Sequence, residues 1–244
     1  IDLDQLKLDS NALPDMLMAA ERMNFTGLNI TFPCKQAIIP LLDELSPEAR
    51  GIGAVNTVVL KDGKRIGHNT DCLGFAEGFR RGLKGVSVER VVQMGAGGAG
   101  AAVAHALLSE GVQLLSIFDV DIRRAQDLAD NLNQHFGVGR AVAGYDLPSA
   151  IAQADGLVNT TPMGMKKLPG MPVPVELLRA ELWVAEIVYF PLETELLRNA
   201  RALGCRTLDG GNMAVFQAVK AFELFSGVVP DARRMLEHFQ SMND

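Results

Sequence analysis

The run Val91-Val92-Gln93-Met94-Gly95-Ala96-Gly97-Gly98-Ala99-Gly100 leads straight into Ala101-Ala102-Val103-Ala104, so a strand-forming stretch meets a helix-forming one through a glycine-patterned turn. No other feature restricts the fold as much. The first glycine allows a tight turn, the second lets backbone N–H groups approach a ligand, and the third lets the helix pack closely on the strand. A helix that starts there offers unpaired N–H groups and a partial positive charge to a phosphate. Glycine-rich turns also serve plain loops, so context matters. Asp119 closes the next apolar strand, Leu114-Leu115-Ser116-Ile117-Phe118, 19 residues beyond Gly100. An acid about 20 residues on is expected to hydrogen-bond ribose hydroxyls. Gly95, Ala96, Gly97, Gly98, Ala99, Gly100 and Asp119 are therefore read as a dinucleotide site. An aspartate there repels the 2′-phosphate of NADP, which favours NAD. Against this, Asp119 could instead cap the helix beginning near Ile122, Asp121 could take either part, and Arg123 and Arg124 could attract a phosphate.

Around this turn, strand and helix patterns alternate: 91–94, 99–109, 114–118, 122–135, then strands near 156–159 and 183–188. Such alternation implies right-handed βαβ units and a parallel sheet with helices on both faces. The first third differs. It holds an amphipathic stretch at 14–23, a strand-like 27–31, a helical pattern from Pro33 through Leu42, and two apolar runs at 54–60 and 65–68 joined by Lys61-Asp62-Gly63-Lys64. That Asp-Gly reads as a hairpin turn. Helical patterns return at 213–225 and 231–239.

Composition excludes several roles. With 23 Lys+Arg against 29 Asp+Glu the formal net charge is −6, which provides no basic field for nucleic acid or an anionic membrane. Three cysteines with no C-x-x-C spacing speak against a disulfide framework and a zinc site, and fit a reducing cytoplasm. No apolar run approaches the roughly 20 residues of a membrane helix, and Ile1-Asp2-Leu3-Asp4 lacks the basic start of a signal peptide. His105, His135 and His238 are dispersed and suggest no metal.

Three polar clusters interrupt apolar strands ahead of the glycine turn: Asn29-Ile30-Thr31-Phe32-Pro33-Cys34-Lys35, Ala54-Val55-Asn56-Thr57 and Gly67-His68-Asn69-Thr70-Asp71. By the two-residue strand period Asn29 and Thr31 share a face. Lys35 follows a proline in the first turn of a helix, where the dipole disfavours a cation, so the position calls for another reason than solvation. A hydroxyl-reading pocket and ordinary turn chemistry explain these clusters equally well, since Asn, Asp and Thr close turns and Asp71 could cap a helix starting at Cys72.

Taken together, these motifs resemble the shikimate/quinate dehydrogenase family. The matching pieces are N-x-T-x-P-x-K at Asn29 to Lys35, G-A-V-N-T at Gly53 to Thr57, N-T-D at Asn69 to Asp71, and the glycine turn. To these are added Asn159-Thr160-Thr161-Pro162-Met163-Gly164-Met165, and Asp209-Gly210 followed by Met213 and Gln217.

The resemblance implies an α/β chain. A Rossmann-type nucleotide domain (73–212) would face a smaller α/β substrate domain (1–72 and 213–244) across a cleft. It implies that Lys35 and Asp71 are the catalytic pair, that Asn29, Thr31, Asn56 and Gln217 bind substrate, and that Tyr189 lies beside the substrate carboxylate. Thr160, Met163 and Ile187 would join the glycine turn in holding the cofactor. In the family a strand carrying Ser-x-Ser/Thr holds that carboxylate. Nothing in residues 1–10 matches it, and from where Lys35 falls the resemblance implies that about forty N-terminal residues of the family pattern, this strand among them, are absent from the sequence. Asn212 stands where the family often has glycine.

The reaction implied is reversible hydride transfer between NAD and a ring hydroxyl of shikimate or quinate, in a monomer or homodimer. Asp119 resembles the NAD-using branch, since the NADP-using branch carries Asn-Arg-Ser/Thr after that strand. The alternatives are an NADP-dependent shikimate or aminoshikimate dehydrogenase and, from a different class, a catalytically poor dinucleotide-binding regulator. Retention of Lys35 and Asp71 argues against the latter. Cys34 and Cys72 adjoin the pair, but no thiolate-stabilising pattern surrounds them.

Overall fold

In the computed structural model residues 9–31 and 33–242 are described, so the segment 1–8, considered above for an export signal, and Phe32 of the N-x-T-x-P-x-K motif lie outside the described residues. The first α-helix is α1 (Leu13–Arg22), which carries Pro14 in its first turn and buries Leu13, Leu17 and Ala20 on one face. Then follow β1 (Gly27–Asn29), α2 (Cys34–Ala37), β2 (Glu44–Leu45), α3 (Pro47–Ile52), β3 (Thr57–Lys61), β4 (Lys64–His68) and α4 (Thr70–Gly82). The helical pattern read from 33 to 42 breaks after Ala37 into a 3-10 turn at Ile39–Leu41. Pro40 is the reason, because it has no N–H for an α-helical bond and its ring clashes with the preceding turn.

The four strands form a sheet in the order β1-β3-β4-β2, antiparallel except where β2 meets β4. The expected hairpin forms: Asp62 and Gly63 both have positive φ, +52° and +74°, as a two-residue turn matched to strand twist requires. The strand read from Ala54 begins only at Thr57. Asn56 nonetheless stays tied into the sheet, its carbonyl accepting from Ile30 N at 2.7 Å and its N–H donating to His68 O at 3.1 Å.

The remaining elements are β5 (Arg90–Met94), α5 (Gly98–Ser109), β6 (Leu114–Phe118), α6 (Ile122–Phe136), β7 (Ala141–Ala143), α7 (Leu147–Ala152), β8 (Gly156–Asn159), β9 (Trp183–Glu186), α8 (Glu195–Ala202), β10 (Arg206–Leu208), α9 (Gly210–Ser226) and α10 (Ala232–Ser241). Their strands form a six-stranded parallel sheet in the order β10-β9-β8-β5-β6-β7. The order reverses between β5 and β8, and crevices at such reversals, outside the C-terminal ends of the strands, are where open α/β sheets bind ligands. Among the described residues no helix is long and apolar enough to cross a membrane.

α4 connects the two sheets. Its Phe79 meets Trp183 of β9 edge to face at 5.2 Å between ring centroids, while Phe75 stacks on Phe79 at 6.0 Å. Its other side lies against α9 so closely that a Cβ at Gly74 would stand 2.7 Å from Gln217 N and Met213 O. Mid-helix glycine costs about 1 kcal/mol relative to alanine, and here the backbone contact explains it. Gly74→Ala should therefore destabilise the protein by about 1–3 kcal/mol through overpacking, despite its better helix propensity, and a lowered urea midpoint would register it. An unchanged midpoint would mean that the two helices can separate without cost.

Candidate active site

The glycine turn is built from beneath. Gly95 adopts φ +101° and donates its N–H to Phe118 O at 2.7 Å. A Cβ at Gly100 would lie 2.5 Å from Gly95 O, so the turn closes only over hydrogen. Two buried side chains hold the carbonyls. Gln93 Nε2 donates to Gly95 O at 2.9 Å and Gly100 O at 3.0 Å, and Thr160 Oγ1 donates to Met94 O at 2.8 Å and Gly95 O at 2.9 Å. The Thr160 hydroxyl, read from the sequence as a cofactor contact, is thus engaged under the turn.

Gly97 is different: it forms the N-cap of α5 without any capping side chain, and a Cβ placed on it would meet nothing within 4 Å. Gly98 and Ala99 begin the helix above it, so the uncapped N–H groups of this first turn face an open cradle. Such a cradle fits the pyrophosphate of a dinucleotide.

Of the two aspartates the sequence left open, one takes the helix cap. Asp121 caps α6, accepting from Arg123 N at 3.0 Å. Asp119 caps nothing. Its Oδ2 accepts from Ala96 N in the glycine turn at 2.7 Å and its Oδ1 from Asp121 N at 2.9 Å, which fixes a carboxylate with spare lone pairs at the end of β6.

Across from the turn, Lys35 Nζ lies 2.6 Å from Asp71 Oδ2, with the two side chains 18% and 10% exposed. α2 supplies the lysine, and its backbone is anchored where Lys35 O accepts from Val55 N at 2.8 Å. α4 supplies the aspartate in its first turn, where N–H groups favour a negative charge. The cap of α4 is Asn69, which accepts from Cys72 N, and not Asp71; the aspartate is thereby free for the lysine. The two halves come close here, since a Cβ at Gly98 would lie 3.6 Å from Lys35 Cδ.

Thr70 completes the N-T-D motif by tying neighbours together. Asn56 Nδ2 donates to Thr70 Oγ1 at 3.0 Å, Asn56 Oδ1 accepts from Thr70 N at 2.8 Å, and Thr70 Oγ1 reaches Gln217 Oε1 at 3.5 Å. The structure thus joins Asn56 and Gln217 through a threonine next to Asp71. Asn29 and Thr31 are exposed at the end of β1, and Tyr189 is 55% exposed beyond β9. Ile187 and Met163 are half-buried on the segments that follow β9 and β8.

All three cysteines are buried and free, and burial pushes the Cys72 thiol up to about 12, far from a reactive thiolate. His68 at the end of β4 is held below its ordinary value by burial, with Glu48 opposing and Lys220 reinforcing. Among the described residues no cluster of His, Cys, Asp or Glu could hold a metal ion.

Two structurally important residues, Gln93 and Glu186, were given no role from the sequence, and Asn159 appeared there only as part of a matching motif. Gln93 and Glu186 each stand as a lone polar residue in an apolar strand, which was the available signal. Glu186 is buried, and burial raises its carboxyl to about 7 against hydrogen bonds from Asn159, Val188, Thr194 and Ile187 that lower it.

Comparison with known proteins agrees with this arrangement. Residues 2–58 match the family model described as the shikimate dehydrogenase substrate binding domain. The chain is 58% identical over 238 residues to a protein of Streptomyces avermitilis named shikimate dehydrogenase (NADP(+)), a match that covers 97% of this chain and 82% of that one. It is 53% identical over 235 residues to a quinate/shikimate dehydrogenase (NAD(+)) of Corynebacterium glutamicum, covering 94% and 82%. Among solved structures, quinate dehydrogenase from Corynebacterium glutamicum in complex with NAD superposes with a TM-score of 0.90 at 51% identity, covering 96% of this chain and 83% of that one. A glycine cradle facing a lysine–aspartate pair, on a chain this similar to proteins of one kind along nearly its whole length, places it in the shikimate dehydrogenase family of oxidoreductases acting on a CH–OH group.

Proposed function

We propose that the chain is an NAD-dependent quinate/shikimate dehydrogenase, with Lys35 and Asp71 handling the proton. The observation that carries this reading is the 2.6 Å Lys35–Asp71 contact set against the uncapped first turn of α5. When bound there, held by Gly95, Ala96, Gly97, Gly98, Ala99, Gly100 and Asp119, NAD supplies the hydride acceptor. The chain's own residues do the rest. Lys35 and Asp71 form one hydrogen-bonded unit that takes the hydroxyl proton as the carbon is oxidised, and returns it in the reverse direction.

Asn29, Thr31, Asn56, Gln217 and Tyr189 orient the ring acid. A pocket of hydrogen-bonding groups rejects a substrate lacking a hydroxyl, because its own polar groups are then left unpaired. In this reading residues 1–72 and 213–244 present the substrate and residues 73–212 the nucleotide, with α4 running unbroken through position 72. The setting we propose is the cytoplasm, where free thiols persist.

The preference for NAD rests on Asp119, whose carboxylate is held in place by Ala96 N and Asp121 N where a 2′-phosphate would add like charge. A second reading, with NADP, draws on the Streptomyces avermitilis relative and on exposed Arg123 and Arg124 at the start of α6. Steady-state oxidation of quinate and shikimate with each nucleotide separates them. Turnover faster with NAD is expected. No turnover of either acid with either nucleotide would overturn the proposal, and faster turnover with NADP would select the second reading. Asp119→Asn should narrow the ratio of NAD to NADP efficiency by about tenfold, since it removes the repelling charge. An unchanged ratio would move the discrimination away from Asp119.

A further inference from the structure

β9 ends on Glu186, 1% exposed in a strand whose other residues are apolar. Its carboxylate collects hydrogen bonds from three segments. Asn159 Nδ2, at the end of β8, is 3.0 Å from both Oε1 and Oε2; Val188 N donates to Oε1 at 3.0 Å; Thr194 Oγ1, at the N-cap of α8, donates to Oε2 at 3.2 Å. Asn159 passes the restraint on, with Nδ2 donating to Met163 O at 2.9 Å and Oδ1 accepting from Thr161 N at 3.0 Å and Thr161 Oγ1 at 2.7 Å. Gly164, at φ +103°, turns this segment back over the carboxylate, and a Cβ there would lie 3.6 Å from Glu186 Oε2. On the other side Gly210, the first residue of α9, abuts the carbonyl oxygens of Ile187 and Val188, each 2.5 Å from where its Cβ would be.

A parallel sheet of this order binds one mononucleotide over each half. Asp119 marks the β5-β6-β7 half for the adenosine, which leaves β8, β9 and β10 for the nicotinamide. From this network we infer that Glu186 is a positioning residue: its ionised carboxylate clamps segment 159–165 to segment 187–194 and so sets the pose of the nicotinamide for hydride transfer. This rests on the NAD-linked reading above.

The charge matters because two of the three partners, Asn159 Nδ2 and Val188 N, are donors only. A protonated carboxyl must give its O–H to an acceptor: neither Asn159 Nδ2 nor Val188 N can take it, and only the Thr194 hydroxyl, which already accepts from Leu197 N, could, so protonation gives up ionic contacts to segments 159–165 and 187–188. Burial raises this carboxyl to about 7, so its charge changes near neutrality. On the neighbouring segments Glu193 pairs with Arg201 at 2.9 Å, Lys166, Lys167, Glu195 and Arg198 are exposed, and Asp209 caps α9 through Gly211 N. The folded chain holds this proton more tightly than the unfolded one. The group's contribution to stability is therefore greatest below the ordinary carboxyl range and falls as pH rises to about 7. Near neutrality the protein thus keeps a clamp that costs it stability.

The test compares wild type, Glu186→Gln and Glu186→Asp by turnover against pH and by the fluorescence of bound NADH, which reports the nicotinamide environment. In wild type both should rise with an acid limb near pH 7. Glu186→Gln should lower kcat about tenfold, leave the NADH dissociation constant within about threefold, and lose the limb in both readouts. Glu186→Asp, which keeps the charge, should retain the limb. The thermal midpoint of Glu186→Gln relative to wild type should climb as pH rises to about 7 and then level off. A wild-type kcat and an unchanged limb in Glu186→Gln would overturn the clamp. So would wild-type NADH fluorescence that is flat with pH, which decides the matter even if the glutamine variant fails to fold. Absence of ring-acid turnover in wild type would sink the dehydrogenase reading instead, and the fluorescence would still read the clamp.

Discussion

Lys35→Ala is expected to lower turnover of the ring acid by about 10²- to 10⁴-fold, the range that a positioned proton-transfer group supplies. Nucleotide affinity should be nearly unchanged, because the lysine presents its aliphatic stem to Gly98 while its ammonium is engaged by Asp71. The fold should survive. Asp71 remains in the first turn of α4, where the helix favours its charge, and the Asn69 cap and the Asn56–Thr70 contact do not involve the lysine. Steady-state kinetics with an NADH fluorescence titration on the same sample separates the two effects. Near-normal turnover would remove Lys35 from the chemistry, whereas a parallel loss of NADH binding would make it a cofactor residue.

A comparably large effect, this time on binding, is expected at Gly97. Its backbone, at φ −76° and ψ −172°, suits any residue, and a Cβ there meets no protein atom within 4 Å. Gly97→Ala should therefore leave the unfolding midpoint nearly unmoved while a methyl group occupies the space of the pyrophosphate. We expect affinity for NADH to fall about 10- to 100-fold, about 1.4–2.7 kcal/mol. Gly100→Ala is the control with the opposite signature: its methyl would meet Gly95 O at 2.5 Å, so it should lose about 1–3 kcal/mol of stability as the turn is forced apart. Calorimetric titration together with urea denaturation tells the two apart. Unchanged affinity in Gly97→Ala would mean that the cradle does not hold phosphate.

Legibility in the sequence followed the range of the interaction. The glycine turn, the Asp62-Gly63 hairpin and the strand–helix alternation rest on residues a few positions apart, and each was readable. Short edge elements such as Ala141–Ala143 and Arg206–Leu208 were not, because three residues carry too little periodicity to stand out. Which of Asp119 and Asp121 caps the next helix was undecidable from spacing, since both sit within its reach; the structure gives the cap to Asp121 and ties Asp119 to Ala96 N, contributed by a different strand's turn. Asn69 and Asp71 were ambiguous for the same reason. Glu186 was legible only as an oddity, a carboxylate in an apolar strand, because its main partner Asn159 is brought beside it by sheet pairing.

α4 also limits how this protein could be recombined. It carries Asp71 at one end and packs Phe79 on Trp183 at the other, while Gly74 holds it against α9. A chimera that exchanged the nucleotide half at position 72 would cut through this helix and pair a foreign surface with Gln217. The exchangeable unit is bounded instead by the connections after Gly82 and before Gly210, with both helices travelling together, so a swap of cofactor preference is better sought by replacing residues around Asp119 than by grafting a sheet.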